Sequence, residues 1–566
     1  VYPIRPVAKD YAWGSYGSLQ RMFASDPSVV EAGPDRGKPL AEMWFSAHAG
    51  SPSIVATPDL MTLPDLIASN PQEMLGYRCS AKFGPVLPYL LKIISARIPL
   101  SLQVHPVDFE ARTGYNAENL AGVPFGDPER SFSDPVAKSE MVVALEPFEA
   151  SIGFAPLVTM ISNLAEVDHP VAQRMLRALT RGRSGFPTSG FLGVGDHDVG
   201  NSAESGEESF AREGQDIAVR SADVAYDDGR ASDSGSQSDD GDFMMPPGAK
   251  FASPSRRRIF RAFRACVCAS GDEGKGLADA LRFAAGRAGG ETSALSFAYA
   301  LKACETFHED PSSLALLMMN PVALTEGDAV FIPAGTPHAY IHGTAAEIMT
   351  NSDNVLRAGL TTKHKNIAGF LRTVNCRPAA PIDPSVNLPE ALAGNHVVYR
   401  PRIDEFMLTY GQVGHQGGQW PLISHLRHRY GRLVAGARRL QRHFGPRIVV
   451  CTQGAVQCVT ASQRCVIGRG EAVFVPACDG WLEIRSAADE VRQEGVLLVD
   501  GWRDRMGSEG PSLRSFDGHA DAVGVSGGHV VASSRAMPGL GSASDARRGV
   551  STPPAEGSYV CAATQI

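Results

Sequence analysis

The octapeptide GDAVFIPA at Gly327–Ala334 returns almost letter for letter as GEAVFVPA at Gly470–Ala477. An acidic residue after glycine, four apolar-leaning positions and a proline describe a strand entered by a tight turn and left at a sheet edge. A chain that writes this strand twice, 143 residues apart, is expected to hold two related β units. The copies then diverge. The first continues GTPHAY, placing His338 five residues after its proline, whereas the second continues CDGWLE and offers no histidine.

The surrounding sequence divides by texture. At 566 residues the chain exceeds one core, and roughly two to four domains are expected. From Val1 to Pro156, short apolar runs such as PLSLQVHP and MVVALEP alternate with turn signals, as in an antiparallel sheet or barrel. Helical spacing follows at 157–181 and 276–306, and β texture returns at 317–360 and 395–502. Between the helical blocks, residues 196–242 carry fourteen Asp and Glu against three Arg and hardly an aromatic, a composition that cannot bury enough apolar area to order itself. SPSRRRIFRAFRAC follows, five arginines (256, 257, 258, 261, 264) interleaved with Ile259, Phe260 and Phe263, which reads as a helix with a solvated basic face. After Arg505 the Gly, Ser and Ala content predicts a disordered tail.

Net charge of −8 excludes a nucleic-acid-binding surface over the whole molecule, and no run approaches the roughly 20 apolar residues that span a bilayer. The default expectation is a cytoplasmic monomer without nucleic-acid or membrane partners. Ten scattered cysteines without CxxC pairs read as reduced, mostly buried thiols.

The pattern G-[DE]-x4-P-x-G-x2-H around the first octapeptide resembles a conserved motif of the cupin superfamily, small barrels of two facing antiparallel sheets. The fold class expected is therefore mainly β: two cupin (jelly-roll-like) barrels with a helical domain inserted in the first. In residue terms, 1–156 and 307–385 form the metal-binding barrel, 157–190 and 255–306 the helical insertion, 191–254 the acidic insert, 386–504 a metal-free barrel and 505–566 the tail. Upstream of His338, SLQVHP supplies Gln103 and His105 two residues apart, hence on one face of a strand, and KSEMVVAL places Glu140 at the start of another apolar run. Two imidazoles, a carboxylate and an amide oxygen suit a borderline divalent ion, zinc above all. Tyr340, two residues past His338, shares its face.

EIMTNSDNVLRAGLTTKHKN at 347–366 closely resembles the signature of type I mannose-6-phosphate isomerases, E-x-M-x-x-S-D-N-x-x-R-x-G-L-T-P-K. YAWGS, AEMWFSAHAGSPS, LPYLLKIISARIPLSLQVHP and PFEASIGF are similar to family segments and stand in family order, so the resemblance covers 2–156 and 300–503. It implies the same four zinc ligands, one ion per chain, a catalytic Arg357, and interconversion of mannose 6-phosphate and fructose 6-phosphate through a cis-enediol. Glu347 and Lys138 are the candidates for proton transfer; Ser101, Lys92 and Lys363 are placed for the phosphate, with Tyr340 against the sugar. Two departures stand out: AKSE puts Ala137 and Ser139 where the family reads H-K-P-E, and Thr362 replaces the proline of T-P-K. The competing readings are a sugar-binding or regulatory cupin without catalysis and an iron cupin dioxygenase.

Overall fold

The computed structural model describes residues 1–26, 29, 38–56, 61–180, 253–384, 392–393, 396–414, 425–426, 445–487 and 557–566. The strands gather into two sheets in which every strand pair is antiparallel, one of nine strands and one of ten. The fold is mainly sheet with helices packed beside it. The acidic stretch at 196–242 lies outside the described residues, as does most of the expected tail.

The nine-stranded sheet centres on two long strands, Glu140–Phe154 and His338–Thr350, paired from His338↔Ile152 to Met349↔Glu140. Its path runs Leu356–Gly359, Leu102–Val104, His338–Thr350, Tyr89–Ala96, Glu42–Phe45, Val7–Lys9. The first octapeptide forms strand Ala329–Ile332, which pairs with Glu140–Val143. The second forms Ala472–Val475 at the matching place in the other sheet, against Arg447–Val450.

The helical blocks appear where the spacing placed them, as Leu157–Ala165, Pro170–Thr180, Leu277–Ala285 and Glu291–Thr306. The arginine-rich stretch is helix Pro254–Val267, with Ile259, Phe260 and Phe263 buried and its start capped by Ser253. These helices share one apolar core with Leu102, Val104 and Leu356, so they back the strands that carry the site.

Three expectations need correction. First, residues 1–156 are not only β: they include helices Leu63–Ser69, Tyr77–Phe83 and Asp108–Leu120. The signal lay in Thr62, whose hydroxyl accepts from the Asp65 N–H, followed by a proline in the first turn. Second, the opening strand Tyr2–Arg5 belongs to the other sheet, pairing with the second octapeptide through Tyr2↔Phe474 and Ile4↔Ala472. A cut at residue 386 therefore does not separate the two sheets. Third, the expected tail ends in a fully buried strand, Gly557–Ala563, wedged between Met407–Val413 and Arg447–Val459. Averaging the composition from 505 onward hid the short apolar run in SYVCAA. Cys458 and Cys561 are buried free thiols, as expected.

The sheets lean on each other through tyrosines. Tyr399 donates its hydroxyl to Gly327 O at 2.6 Å, and Tyr410 donates to Glu326 at 2.6 Å, so the second unit grips the turn that opens the first octapeptide. Among the described residues no helix is long and apolar enough to cross a membrane. Deleting residues 557–566 removes the shared partner of two central strands; the truncated chain is expected to melt at least about 10 °C lower in a thermal scan, because each lost kcal/mol shifts a large domain by a few degrees.

Candidate metal centre and active site

Three donors converge at the floor of the nine-stranded sheet. His338 opens its strand opposite Gln103, and Gln103 in turn lies opposite Arg357, so one cross-strand row presents an arginine, an amide and an imidazole on the same face. Glu140 opens the neighbouring strand opposite Met349. His105 follows Gln103 by two residues, as the sequence spacing required.

Glu140 faces both imidazoles. Its Oε2 lies 3.0 Å from His105 Nε2 and its Oε1 lies 3.0 Å from His338 Nε2, with all three residues at most 1% exposed. Each ring uses its other nitrogen elsewhere: His105 Nδ1 meets Asn354 O at 2.8 Å, and His338 Nδ1 meets Thr336 O at 3.0 Å. A carbonyl can only accept, so both Nδ1 atoms carry a proton, and each ring in its neutral form presents its Nε2 lone pair to the carboxylate. Burial, with help from the Lys138 ammonium, pushes His105 down to about 3, which keeps that ring neutral. His105 Nε2 is buried with no hydrogen-bond partner.

Lone pairs facing a carboxylate at these distances repel unless a cation sits among them, and the three donor atoms lie within 4.8 Å of one another. Gln103 completes the set: its amide nitrogen is 3.0 Å from His338 Nε2 and its oxygen accepts from Ser101. Half a turn of that amide exchanges the two atoms and brings the oxygen to the centre.

Above the donors opens a cavity of about 1080 Å³, walled in part by Gln103, Glu140, Lys138, Arg357 and Lys363. Tyr340 and Glu347 share its interior face with His338, although nine residues separate His338 from Glu347 and a regular strand would turn them to opposite sides. Register irregularities between Tyr340 and Ala345 reverse the alternation, with Gly343 at φ 115° pressed against Pro147 and Phe148. The Tyr340 hydroxyl lies 2.7 Å from Glu140 and 2.8 Å from Glu347. One hydroxyl proton cannot serve two ionised carboxylates, so a proton resting on Glu347 completes the pair of bonds. Burial and the charge of Glu140 raise Glu347 above the usual carboxylate range, while Lys92 and Lys138 work against this.

The structure distributes the sequence candidates as follows. Lys138 lies 3.7 Å from Glu140. Ser101, Lys363 and Arg357 line the cavity, where burial pushes the Lys363 and Arg357 cations down. Lys92 lines the same cavity and also pairs with Glu347 at 3.5 Å and Glu42 at 3.8 Å, with Trp44 under its ammonium at 4.2 Å. Burial opposes its charge, yet these carboxylates hold it above the ordinary lysine value. Tyr340 is buried between two carboxylates and orients them.

Sequence reasoning missed Glu42 and Trp44, joined by a 2.5 Å bond from the indole N–H, although their i, i+2 spacing in AEMWF put both on one face. It also missed Asn354. This residue accepts from Ser133 N–H and Asp134 N–H, donates to Asp134 O and Val136 O, and offers its own carbonyl to His105. The S-D-N of the signature thus locks the 133–136 loop and sets the tautomer of a donor histidine.

The family profile described as phosphomannose isomerase type I, catalytic domain, matches residues 1–157. Mannose-6-phosphate isomerase of Escherichia coli strain K12 is 30% identical over 369 residues, 65% of this chain and 72% of the relative. The chain belongs to the type I mannose-6-phosphate isomerase family. The Salmonella typhimurium member is 27% identical over 472 residues, covering 83% of this chain and 93% of that protein. A crystal structure described as mannose 6-phosphate isomerase bound with zinc and yttrium superposes with a TM-score of 0.59 at 24% identity, covering 86% of this chain and 96% of the other. Family membership meets the expectation drawn from the 347–363 signature, an isomerase included.

Glu140→Ala and His338→Ala are expected to purify with less than about one-tenth of the wild-type metal by elemental analysis, because each removes a donor from a buried set. Asn354→Ala keeps the backbone carbonyl that meets His105 but releases the side-chain bonds that tie that backbone to the 133–136 loop, so metal binding is expected to weaken by roughly 10-fold in a chelator competition.

Proposed function

We propose that this chain interconverts mannose 6-phosphate and fructose 6-phosphate with one zinc ion held by Gln103, His105, Glu140 and His338. The observation that carries the reading is the buried carboxylate facing two unprotonated imidazole nitrogens at the floor of a cavity that also holds Glu347 and Arg357. Bound there, zinc supplies a fixed positive charge that polarises a substrate oxygen without redox chemistry.

The rest of the work falls to the chain. Isomerisation moves a proton between C2 and C1 through a cis-enediol, and Glu347 is the group suited to carry it, since burial and the charge of Glu140 raise its titration and so strengthen it as a base. Tyr340 holds Glu347 in place and links it to Glu140. Arg357 stays protonated even where burial lowers it, so its planar fork stabilises the enediolate oxygen rather than acting as a base. Lys363 and Ser101 take the phosphate. Opening the sugar ring breaks the bond between C1 and the ring oxygen, with a proton leaving the C1 hydroxyl and one arriving at the ring oxygen; Lys138, beside Glu140, donates the latter, a task for which Ala137 offers no imidazole.

Around this site we read the nine-stranded sheet as the catalytic cupin barrel, with the helices inserted into it, and the ten-stranded sheet as a metal-free second barrel. The reading places the enzyme as a cytoplasmic monomer without nucleic-acid partners, linking glycolysis to the supply of mannose for GDP-mannose. An iron dioxygenase would share the two-histidine, one-carboxylate donors, but the base, arginine and lysine beside them in the cavity favour the isomerase over that reading and over a non-catalytic cupin.

A coupled assay for fructose 6-phosphate tests this, with activity expected in the zinc-loaded protein and lost on chelation. Absence of turnover at full zinc occupancy would sink the reading. Glu347→Gln is expected to cut kcat by at least about 100-fold while zinc content is unchanged, the range for a proton-transfer group. Activity needs Glu347 ionised, so the acid limb of kcat/KM should lie above the ordinary glutamate value, activity falling as pH drops through it.

A further inference from the structure

Among the described residues, the non-glycine positions with positive φ are His308 (51°), Glu309 (62°) and Leu360 (53°). Left-handed backbone is unfavourable for residues with a Cβ and persists only where the surroundings hold it. All three meet at one junction, where the end of helix Glu291–Thr306 touches the end of strand Leu356–Gly359.

Asp310 bolts that junction. Its Oδ1 accepts from the N–H of Ser312 at 2.9 Å and from the Ser312 hydroxyl at 2.7 Å, while its Oδ2 accepts from the Leu360 N–H at 3.2 Å. The two segments touch without room for another atom, since a Cβ on Gly359 would lie 1.9 Å from Ser312 Oγ. Glu309 ties the same junction to the helical layer by accepting from Gly276 N–H and Ala278 N–H. The side chain of Leu360 is fully buried, which anchors the turn on its inner side.

Immediately after Leu360 the chain supplies Thr361, Thr362 and Lys363 to the cavity wall, and Arg357 stands three residues before it. Arg357 is directed by its strand pairing with Gln103, whereas the direction in which Thr361 to Lys363 leave that strand follows from the backbone turn at Leu360. We propose that Asp310 is a positioning residue for the anionic group of the substrate: by holding Leu360 N–H in the left-handed turn, it aims Lys363, beside Arg357, at the phosphate. This rests on the reading of Lys363 as a phosphate cation given above. It assigns the helical layer a part in substrate affinity, through a carboxylate at the cavity wall whose oxygens are engaged by Ser312 and Leu360.

The test is Asp310→Asn in the zinc-loaded full chain. Asparagine keeps an acceptor for Ser312 but sets an amide NH2 against the Leu360 N–H, so that bond alone is lost. KM for mannose 6-phosphate and the inhibition constant of inorganic phosphate are both expected to rise about tenfold, with kcat within about threefold of wild type and zinc content unchanged. Wild-type KM and phosphate inhibition, or a loss confined to kcat, would overturn the proposal. Should that variant not fold, Ser312→Ala carries the test: it frees one of the Asp310 bonds, and a rise in KM of about threefold is expected, an unchanged KM overturning the idea. Lys363→Ala separates the two levels, since unchanged phosphate inhibition there would fault the reading of the wall itself rather than the role of Asp310.

Discussion

Everything in the catalytic half of this protein is arranged around one unfavourable contact: a buried carboxylate with an imidazole lone pair 3.0 Å from each of its oxygens. Left to themselves, three electron-rich groups in a site sheltered from water would part or take up protons. The backbone carbonyls of Asn354 and Thr336 fix both rings with a proton on the far side, and burial keeps the His105 ring neutral. The fold thus holds a cation-shaped demand in place, and the chemistry of the donors selects zinc.

The surrounding architecture follows from that demand. Glu140 and His338 open antiparallel partners and so lie at opposite ends of one ladder, yet their side chains meet at 3.0 Å, so the paired strands curl over between them, across the register irregularities from Tyr340 to Ala345. The irregularity near Gly343 lets one strand deliver both His338 and Glu347 to the same face. The second octapeptide serves the first at a distance: its sheet carries Tyr399 and Tyr410, which hold the turn at Glu326–Gly327 from which the first octapeptide departs toward its pairing with Glu140. A scaffold without an imidazole is consistent with that mechanical part.

Much of the site could be read from the sequence because its geometry is local. Two-residue spacing put Gln103 beside His105, and His338 and Tyr340 lay on one strand, so period-two reasoning sufficed. Glu347 could not be placed that way, since its odd separation from His338 argues for opposite faces until the bulge is known. Long-range pairings were equally silent. Nothing in YPIR announces that it will pair with the strand of the second octapeptide, and the closing strand Gly557–Ala563 was lost in the average composition of the residues before it. The committed ion pairs of Lys92 needed three strands side by side, with Trp44, Lys92 and Glu347 in one row.

The most direct measurement is X-ray absorption at the zinc edge on the full chain loaded with one equivalent of metal. The account predicts a first shell of nitrogen and oxygen only, at about 2.0–2.2 Å, with the outer-shell pattern of two imidazoles. A shell containing sulfur at about 2.3 Å, or one with no imidazole pattern, would place the ion elsewhere and contradict the site described here.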